Sequence, residues 1–150
     1  MPQSLAKIYL HIIFGTKDRK DIIPNIIKKA LYAYIAGVCN DKDSHACRIG
    51  GTGNHIHIAC TLPRTITVSK LLEEIKRASS IWMKEQDSDN DDFAWQAGYG
   101  VFSIGQSQLD ALVAYIDNQE THHETSTFEE ELVALFDKYE VKYDPKYVWQ

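Results

Sequence analysis

Cysteine is scarce in this sequence, and long apolar runs are absent. The 150 residues include three cysteines, Cys39, Cys47 and Cys60, with no Cys-x-x-Cys spacing. An odd count without paired spacing argues against a disulfide framework or a zinc ribbon and fits a reducing compartment. No stretch approaches the roughly 18 apolar residues of a membrane span, and the N-terminal MPQSLAKIYL lacks the pattern of a secretory signal. We therefore expect a cytoplasmic protein that does not associate with membranes.

The composition predicts one globular domain over residues 1–150. Hydrophobic residues make up 44% and charged residues 25% of the chain, close to the average of globular proteins. The four prolines form no linker, and no internal repeat or low-complexity tract is present. A domain of this length buries roughly 70% of its unfolded surface, so it can fold without disulfides or a structural metal.

The charge is divided unevenly along the chain. The net charge is −5, but residues 1–84 carry 13 Lys/Arg against 6 Asp/Glu, and residues 85–150 carry 3 against 15. The local field steers a polyanion more than the total charge does. We expect the basic part to contact a nucleic acid while the acidic tail faces away from it, with an ordinary uneven surface as the alternative.

Hydrophobic periodicity predicts a β-α-β-β-α-β core with two further helices. Strands are predicted over 4–14, 44–49, 55–62 and within 93–104, and helices from Pro24 to about Asn40, from Thr67 beyond Trp82, from Ser107 to 122, and from Phe128 to Tyr139. Ser107 with Asp110 suggests a capping box at the third helix. In the second helix, Ala78 and Trp82 are expected to face inward. The order matches a ferredoxin-like α+β sandwich over 1–104, followed by a helix over 107–122 and a C-terminal helix and tail over 127–150.

His55-Ile56-His57 is the first group that could carry chemistry. On a strand, residues two apart point to the same face, so the two imidazoles would stand side by side. Neutral imidazoles are good ligands for divalent first-row metals. The competing interpretation is a surface pair or a satisfied core pair, because short motifs often match by chance.

Tyr115 and Gln119 form the second group, on the predicted third helix. Their spacing of four places them one turn apart on one side, beside an apolar stripe and near Asn118 and His122. A boundary tyrosine without a chemical role is the alternative. A phenol with a pKa of about 10 is a poor nucleophile unless it is activated, and a metal that polarises a phosphate would meet that need. Gln119 would then supply an oxygen ligand.

These residues, together with four longer segments, resemble one family. The HUH signature (His, hydrophobic, His) is similar to His55-Ile56-His57, and Tyr115-x-x-x-Gln119 resembles the nucleophile helix of the TnpA-type single-tyrosine transposases of bacterial insertion sequences. The similar segments are HIIFGTKDR (11–19), LEEIKRASSIW (72–82), WQAGYGVFSI (95–104) and YIDNQETHHETSTFEEEL (115–132), the last including a Phe-x-x-Glu element. Two departures are the GGTG turn and Asn54, where many relatives carry an acidic residue.

The resemblance implies a mechanism and partners. Mg²⁺ or Mn²⁺ held by His55, His57 and Gln119 would polarise a scissile phosphate, and Tyr115 would attack it to give a 5′-phosphotyrosine and a free 3′-OH. The substrate would be single-stranded DNA hairpins at element ends, and the protein a bacterial homodimer, associated with the nucleoid when acting, whose Tyr helix completes the partner subunit's site. No organic cofactor is expected.

Other residues are weaker candidates. Lys17, Arg19, Lys76 and Arg77 are predicted phosphate contacts, each a solubilising charge by default. Asn118 and His122 are possible auxiliary residues. Three alternatives stay open: a domesticated relative that processes chromosomal palindromes, a non-catalytic ferredoxin-like module that binds single-stranded nucleic acid, and an unrelated His-x-His metal hydrolase.

Overall fold

Alternating apolar residues build a four-stranded antiparallel sheet in the computed structural model, which describes residues 2–150. The strands are β1 Tyr9–Gly15, β2 Ala46–Gly51, β3 His55–Thr61 and β4 Gly100–Ile104, and the helices are α1 Asn25–Asp41, α2 Val68–Gln86, α3 Leu109–Asp117, α4 Gln119–His122 and α5 Phe128–Lys138. The order β2-β3-β1-β4 places β1 and β3 in the centre. The expected ferredoxin-like α+β fold is confirmed. Over residues 2–150, no helix is both long enough and apolar enough to cross a bilayer.

One face of the sheet packs against α1 and α2. Ile12 and Phe14 of β1 and Ile56 and Ile58 of β3 are fully buried in this main core. The helices contribute Leu31, Ile35, Cys39, Leu71, Leu72, Ile75 and Met83. Because side chains alternate along a strand, the same packing turns the intervening residues toward the opposite face.

The opposite face is covered by α3 and α5, which contact it through two smaller clusters. Ala59 of β3 packs with Leu112 and Ile116 of α3. The second cluster joins Ile13 of β1 and Phe102 of β4 to α5 and the C-terminal tail, through Phe128, Leu132, Phe136, Tyr143, Val148 and Trp149. The sheet is therefore enclosed on both sides, and His11, His55 and His57 lie on the side of α3 and α5.

Several element boundaries differ from those that the sequence predicts. β1 begins at Tyr9, because its ladder partners on β3 and β4 end at Thr61 and Ile104; the alternation before Tyr9 has no strand to pair with. The helix predicted over 107–122 is divided at Asn118, whose φ of −96° and ψ of 12° leave the helical region. The segment 93–104 holds a single Thr16–Trp95 bridge before β4.

The predicted capping box at Ser107 is wrong. Ser107 lies inside a short 3-10 turn, Gln106–Gln108, that precedes α3. The side-chain oxygen of Gln108 accepts a hydrogen bond from the backbone N–H of Gly105 at 2.9 Å. The Gln108 side chain therefore caps this turn. Asp110 instead lies within the first turn of α3.

The inward side of α2 is also shifted by one position. Ser79 and Met83 are fully buried, whereas Ala78 and Trp82 are half-buried. The Trp82 ring stacks on Tyr34, with centroids 5.5 Å apart, at the solvent-facing edge of the α1–α2 contact. The two aromatic rings thus cover the core from outside.

Gly50 allows α3 to approach β2 closely. A Cβ atom at Gly50 would lie 2.8 Å from Ile116 Cγ2 and 3.1 Å from the Ile116 carbonyl oxygen. Since Gly50 pairs with His57 across β2 and β3, this contact sets the height of α3 above the histidines.

Gly50→Ala should therefore destabilise the protein by about 1–3 kcal/mol, the usual cost of overpacking. Gly37→Ala is the matched control, because its new Cβ would meet nothing within 4 Å and alanine favours the helix by up to about 1 kcal/mol. Urea denaturation of both variants measures the difference. A Gly50→Ala protein as stable as the wild type would contradict the close approach of α3.

Candidate active site

His55 and His57 point from β3 into the space beneath α3 and α5. Both side chains are fully buried, and Ile56 between them belongs to the main core on the other face. Across the ladder, His55 pairs with Gly15 and His57 with Ile13. The two rings lie 5.2 Å apart, so the side-by-side arrangement expected for this strand is present.

The α3–α4 junction brings Gln119 and Tyr115 to these histidines. Gln119 is 1% exposed and its Oε1 lies 2.9 Å from His55 Nε2. The half-buried Tyr115 ring meets the His57 ring edge-on, with centroids 5.6 Å apart. Within one chain, Tyr115 and Gln119 thus lie at the histidines of that same chain. The expectation of a site shared between two subunits stays a prediction.

Glu131 is the residue at the centre of the cluster. It is 3% exposed, and its Oε1 lies 3.2 Å from His55 Nε2 and 3.1 Å from His57 Nε2. Its Oε2 accepts hydrogen bonds from the Tyr115 hydroxyl and, at 2.9 Å, from Gln119 Nε2. One carboxylate therefore joins the predicted ligands and the predicted nucleophile.

Sequence reasoning did not single out Glu131, although two signals mark it. It belongs to the Phe-x-x-Glu element, and it occupies a position in the apolar stripe of α5 between Phe128 and Leu132, where a charged residue is unusual. The neighbouring Glu130 has an ordinary role, since it completes a capping box with Thr127.

Burial and mutual contacts shift the ionisation of the cluster. Burial alone would raise the pKa of Glu131, but hydrogen bonds from His123, His55 and His57 hold it well below its usual value. Burial lowers the pKa of His57, and burial together with His57 lowers that of His11 to about 3. Burial, then the Glu131 contact, raises the pKa of Tyr115. At neutral pH the site holds a carboxylate and a protonated phenol.

The hydrogen-bond partners of the two His55 ring nitrogens are all oxygens. Nδ1 lies 2.8 Å from Asn54 Oδ1 and 3.0 Å from Thr52 Oγ1, whose own proton is donated to Asn54 Oδ1. Nε2 faces Gln119 Oε1 and Glu131 Oε1. A neutral imidazole carries one proton. Without a metal, Nε2 donates this proton to Glu131; with the proton on Nδ1 instead, the Nε2 lone pair would be free for a cation that Gln119 Oε1 and Glu131 Oε1 could also bind.

The distances also suit a divalent ion. One ligand atom each from His55, His57 and Glu131 lies within 4.8 Å of the other two. Ligands at right angles around an ion with bonds of about 2.1 Å are roughly 3.0 Å apart. The 2.9–3.2 Å separations among these nitrogen and oxygen atoms match that value. The two histidine nitrogens, the amide oxygen and the carboxylate oxygen are therefore a donor set that fits a divalent metal ion.

The predicted auxiliary residues differ in their positions. Asn118 is exposed, and its backbone carbonyl accepts from the His122 N–H. His122 Nε2 is buried without a hydrogen-bond partner, 3.5 Å from Glu131 Oε2. His123 Nε2 lies 3.0 Å from Glu131 Oε1, and its Nδ1 lies 2.6 Å from the Ser126 carbonyl oxygen. Both histidines therefore border the cluster.

The four predicted phosphate contacts are dispersed. Arg19 lies nearest the site, 3.6 Å from Glu129 and above the Trp149 ring, and Lys17 is exposed in the same turn. Lys76 and Arg77 are on α2, on the other side of the sheet. The three donors of Lys76 are used on the carbonyls of residues 96–98, and Arg77 pairs with Glu74. Their role toward DNA stays a prediction.

Three residues of the acidic segment 85–150, Glu124, Glu129 and Glu130, border a cavity beside the histidines, so a nucleic acid bound there would face part of this segment, contrary to the expectation from the sequence. A cavity of about 670 Å³ beside Asn54 and His123 is lined by Arg19 and by five acidic residues, Asp18, Asp21, Glu124, Glu129 and Glu130. A second cavity, of about 480 Å³, lies between α3 and α5, is bordered by Tyr115, His11 and Glu131, and has Lys138 in its lining. The surroundings of the site are therefore mainly anionic.

Comparison with known proteins agrees with this architecture. Residues 4–119 match the family described as "Transposase IS200 like". The chain is 26% identical over 115 residues to the transposase for insertion sequence element IS200 of Salmonella typhimurium LT2, covering 73% of this chain and 74% of that protein.

Two solved structures share the fold. A candidate transposase from Deinococcus radiodurans R1 superposes with a TM-score of 0.62 at 16% identity, covering 79% of this chain and 98% of the other. A REP-associated tyrosine transposase bound to a REP hairpin gives 0.58 at 17% identity, covering 82% and 73%. The family match includes His55, His57, Tyr115 and Gln119 and ends before Glu131. Because the family match extends over most of the sequence, the chain belongs to the IS200-like transposase family.

Proposed function

We propose that this transposase is a metal-dependent endonuclease and strand transferase that cuts hairpin-containing single-stranded DNA through a 5′-phosphotyrosine intermediate. Tyr115 is the nucleophile, and His55, His57 and Gln119 hold Mg²⁺ or Mn²⁺, with Glu131 as an additional oxygen ligand. The observation that carries the proposal is the convergence of Tyr115, Gln119 and both histidines on the Glu131 carboxylate.

Each residue of the proposed site has its own role in strand cleavage. When bound, the metal polarises the scissile phosphate and neutralises charge in the transition state. The Tyr115 oxygen forms the bond to phosphorus, and the bond to the 3′-oxygen breaks, leaving a 3′-OH. The phenol of Tyr115, whose pKa is raised, loses its proton as it attacks, and the departing 3′-oxygen gains one, so the step is balanced. Glu131 Oε2 accepts the hydrogen bond of the Tyr115 hydroxyl and so orients it, while the low pKa of this carboxyl keeps it ionised.

The cleft between α3 and α5 supplies a path for the strand. Tyr115 borders this cavity of about 480 Å³, and Lys138 offers a positive charge in its lining. The solved REP-associated relative is bound to a hairpin, which supports a hairpin substrate for this chain. Arg19, beside the other cavity, is the best placed of the predicted phosphate contacts.

The likeness to that relative also favours a second candidate function, the processing of palindromic repeats on the chromosome by a domesticated protein. The catalytic residues would be the same. The DNA that flanks the gene distinguishes the two: terminal palindromes bounding the gene indicate a mobile element, and dispersed palindromes elsewhere in the genome indicate the domesticated protein.

Tyr115→Phe should abolish the covalent adduct while leaving binding of the hairpin intact, because only the attacking oxygen is lost. The assay is incubation with labelled single-stranded hairpin DNA and Mn²⁺, followed by a denaturing gel. Tyr34→Phe is the control, since Tyr34 lies on the far side of the sheet, stacked on Trp82. An adduct that persists in Tyr115→Phe would exclude Tyr115 as the nucleophile. Hairpin binding without any adduct, in the wild type as well, would instead favour the non-catalytic module.

His57→Ala and Glu131→Gln should each weaken Mn²⁺ binding, by tenfold or more, as measured by calorimetry on the DNA-free protein. The first removes a nitrogen ligand and the second removes the negative charge at nearly constant shape. The matched controls are His45→Ala, an exposed histidine before β2, and Glu73→Gln, an exposed residue of α2 paired with Lys70 on the other side of the sheet. Unchanged Mn²⁺ affinity in both site variants would contradict the metal assignment.

We further propose that the active form is a homodimer with composite sites, in which α3 carries Tyr115 to the partner's histidines. The clusters that hold α3 and α5 to the sheet are small compared with the main core, which supports a movement of these two helices together, away from the sheet.

Co-expression of Tyr115→Phe with His57→Ala tests this arrangement. A composite dimer contains one site with an intact Tyr115 and an intact His57, so cleavage should return to a measurable fraction of wild type. If the mixed preparation is as inactive as each variant alone, the tyrosine acts within its own subunit.

A further inference from the structure

His11 forms a buried hydrogen bond with one of the proposed ligands. It lies on β1, is 2% exposed, and its Nε2 is 2.7 Å from His57 Nδ1. The ring planes differ by only 22° and the centroids are 5.0 Å apart, so the rings meet edge to edge, as a hydrogen bond between ring nitrogens requires. Phe102 and Tyr115 border the His11 ring, at centroid distances of 6.1 and 6.2 Å. The contact fixes the orientation of His57 from the side opposite Glu131.

The hydrogen bond couples the tautomers of the two rings. His57 Nε2 lies 3.1 Å from Glu131 Oε1, an acceptor, so in the metal-free protein Nε2 carries the proton. The unprotonated Nδ1 of His57 then accepts from His11 Nε2–H. This arrangement satisfies both rings but leaves no lone pair on His57 Nε2.

A nitrogen that binds a divalent cation must be free of its proton. If His57 coordinates through Nε2, its proton resides on Nδ1, and that N–H needs an acceptor. The atom that faces Nδ1 is His11 Nε2, which accepts only when the proton of His11 is on Nδ1. The tautomer of His11 would therefore determine whether His57 can bind a metal through Nε2.

We propose that His11 is a positioning residue that changes from hydrogen-bond donor to acceptor toward His57 and so makes His57 competent to bind the metal; this inference rests on the proposed metal site. The shared proton passes from His11 Nε2 to His57 Nδ1. The fully buried His57 Nε2 releases its proton through its hydrogen-bond partner Glu131 to the solvent of the cavity that Glu131 and His11 both border, and His11 Nδ1 takes one from that solvent. Each ring carries one proton before and after.

Two substitutions separate this role from packing. His11→Gln keeps a side chain that presents either a donor or an acceptor, whereas His11→Phe fills the space between Phe102 and Tyr115 but offers neither. We expect Mn²⁺ affinity to fall 10–100-fold in His11→Phe, the usual effect of losing the partner of a ligating histidine, and only a few-fold in His11→Gln. His45→Phe serves as control, because His45 is exposed. Equal affinity in His11→Phe and wild type would overturn the proposal.

A measurement on the unmodified protein covers the case in which His11→Phe does not fold. In protein labelled with 15N-histidine, the nitrogen chemical shifts should show the proton of His57 moving from Nε2 to Nδ1 upon addition of Mg²⁺. The proton of His11 should move in the same direction, with His45 unchanged. A His11 ring that keeps one tautomer at saturating Mg²⁺ would refute the switch.

The failure of the metal site itself gives a different result. If the wild type binds neither Mn²⁺ nor Mg²⁺, the proposed function and this inference fall together. If the wild type binds and His57→Ala does not, but His11→Phe binds like wild type, only the role of His11 is overturned.

Discussion

The rest of the site depends on the interactions of the buried Glu131 carboxylate. A buried charge is costly unless each of its oxygens is paired, and here Oε1 meets imidazole nitrogens of His55, His57 and His123 while Oε2 meets Tyr115 and Gln119. These partners come from β3, α3, α4 and the loop before α5. All of these elements must be in place together, because the displacement of any one leaves part of the charge unpaired.

One face of the sheet packs in the main core, and the other face carries the residues of the proposed site. Ile56 and Ile58 fix β3 in the main core, so the histidines between and beside them stand on a rigid element. Tyr115 and Glu131 stand on helices held by smaller clusters. Such a division would allow Tyr115, Gln119 and Glu131 to move relative to His55 and His57 while the sheet stays intact, as the proposed strand transfer requires.

The charge around the site connects metal binding with DNA binding. Acidic side chains line the cavity next to Asn54 and His123, and Glu131 adds a buried negative charge. Such a field attracts divalent cations and repels a phosphate backbone. In the proposed mechanism, a bound cation would reverse that balance locally, and the anionic surroundings would disfavour DNA at the site until the metal is bound. Asn54 retains a neutral acceptor for the His55 ring without adding a further charge.

The sequence by itself determined the order of strands and helices, the shared face of His55 and His57, and the proximity of Tyr115 to Gln119, because these follow from local periodicity and from short spacings. It did not determine where β1 begins or how α3 is capped, since pairing partners and the Gln108 side chain decide those points. The contacts of Glu131 and His11 with His57 became visible only in the tertiary structure, although the Phe-x-x-Glu element and the apolar stripe of α5 already marked Glu131 in the sequence. Glu131 and His11 lie 74 and 46 residues from His57, and the packing of α5 and β1 around β3 alone brings them into hydrogen-bond contact with it.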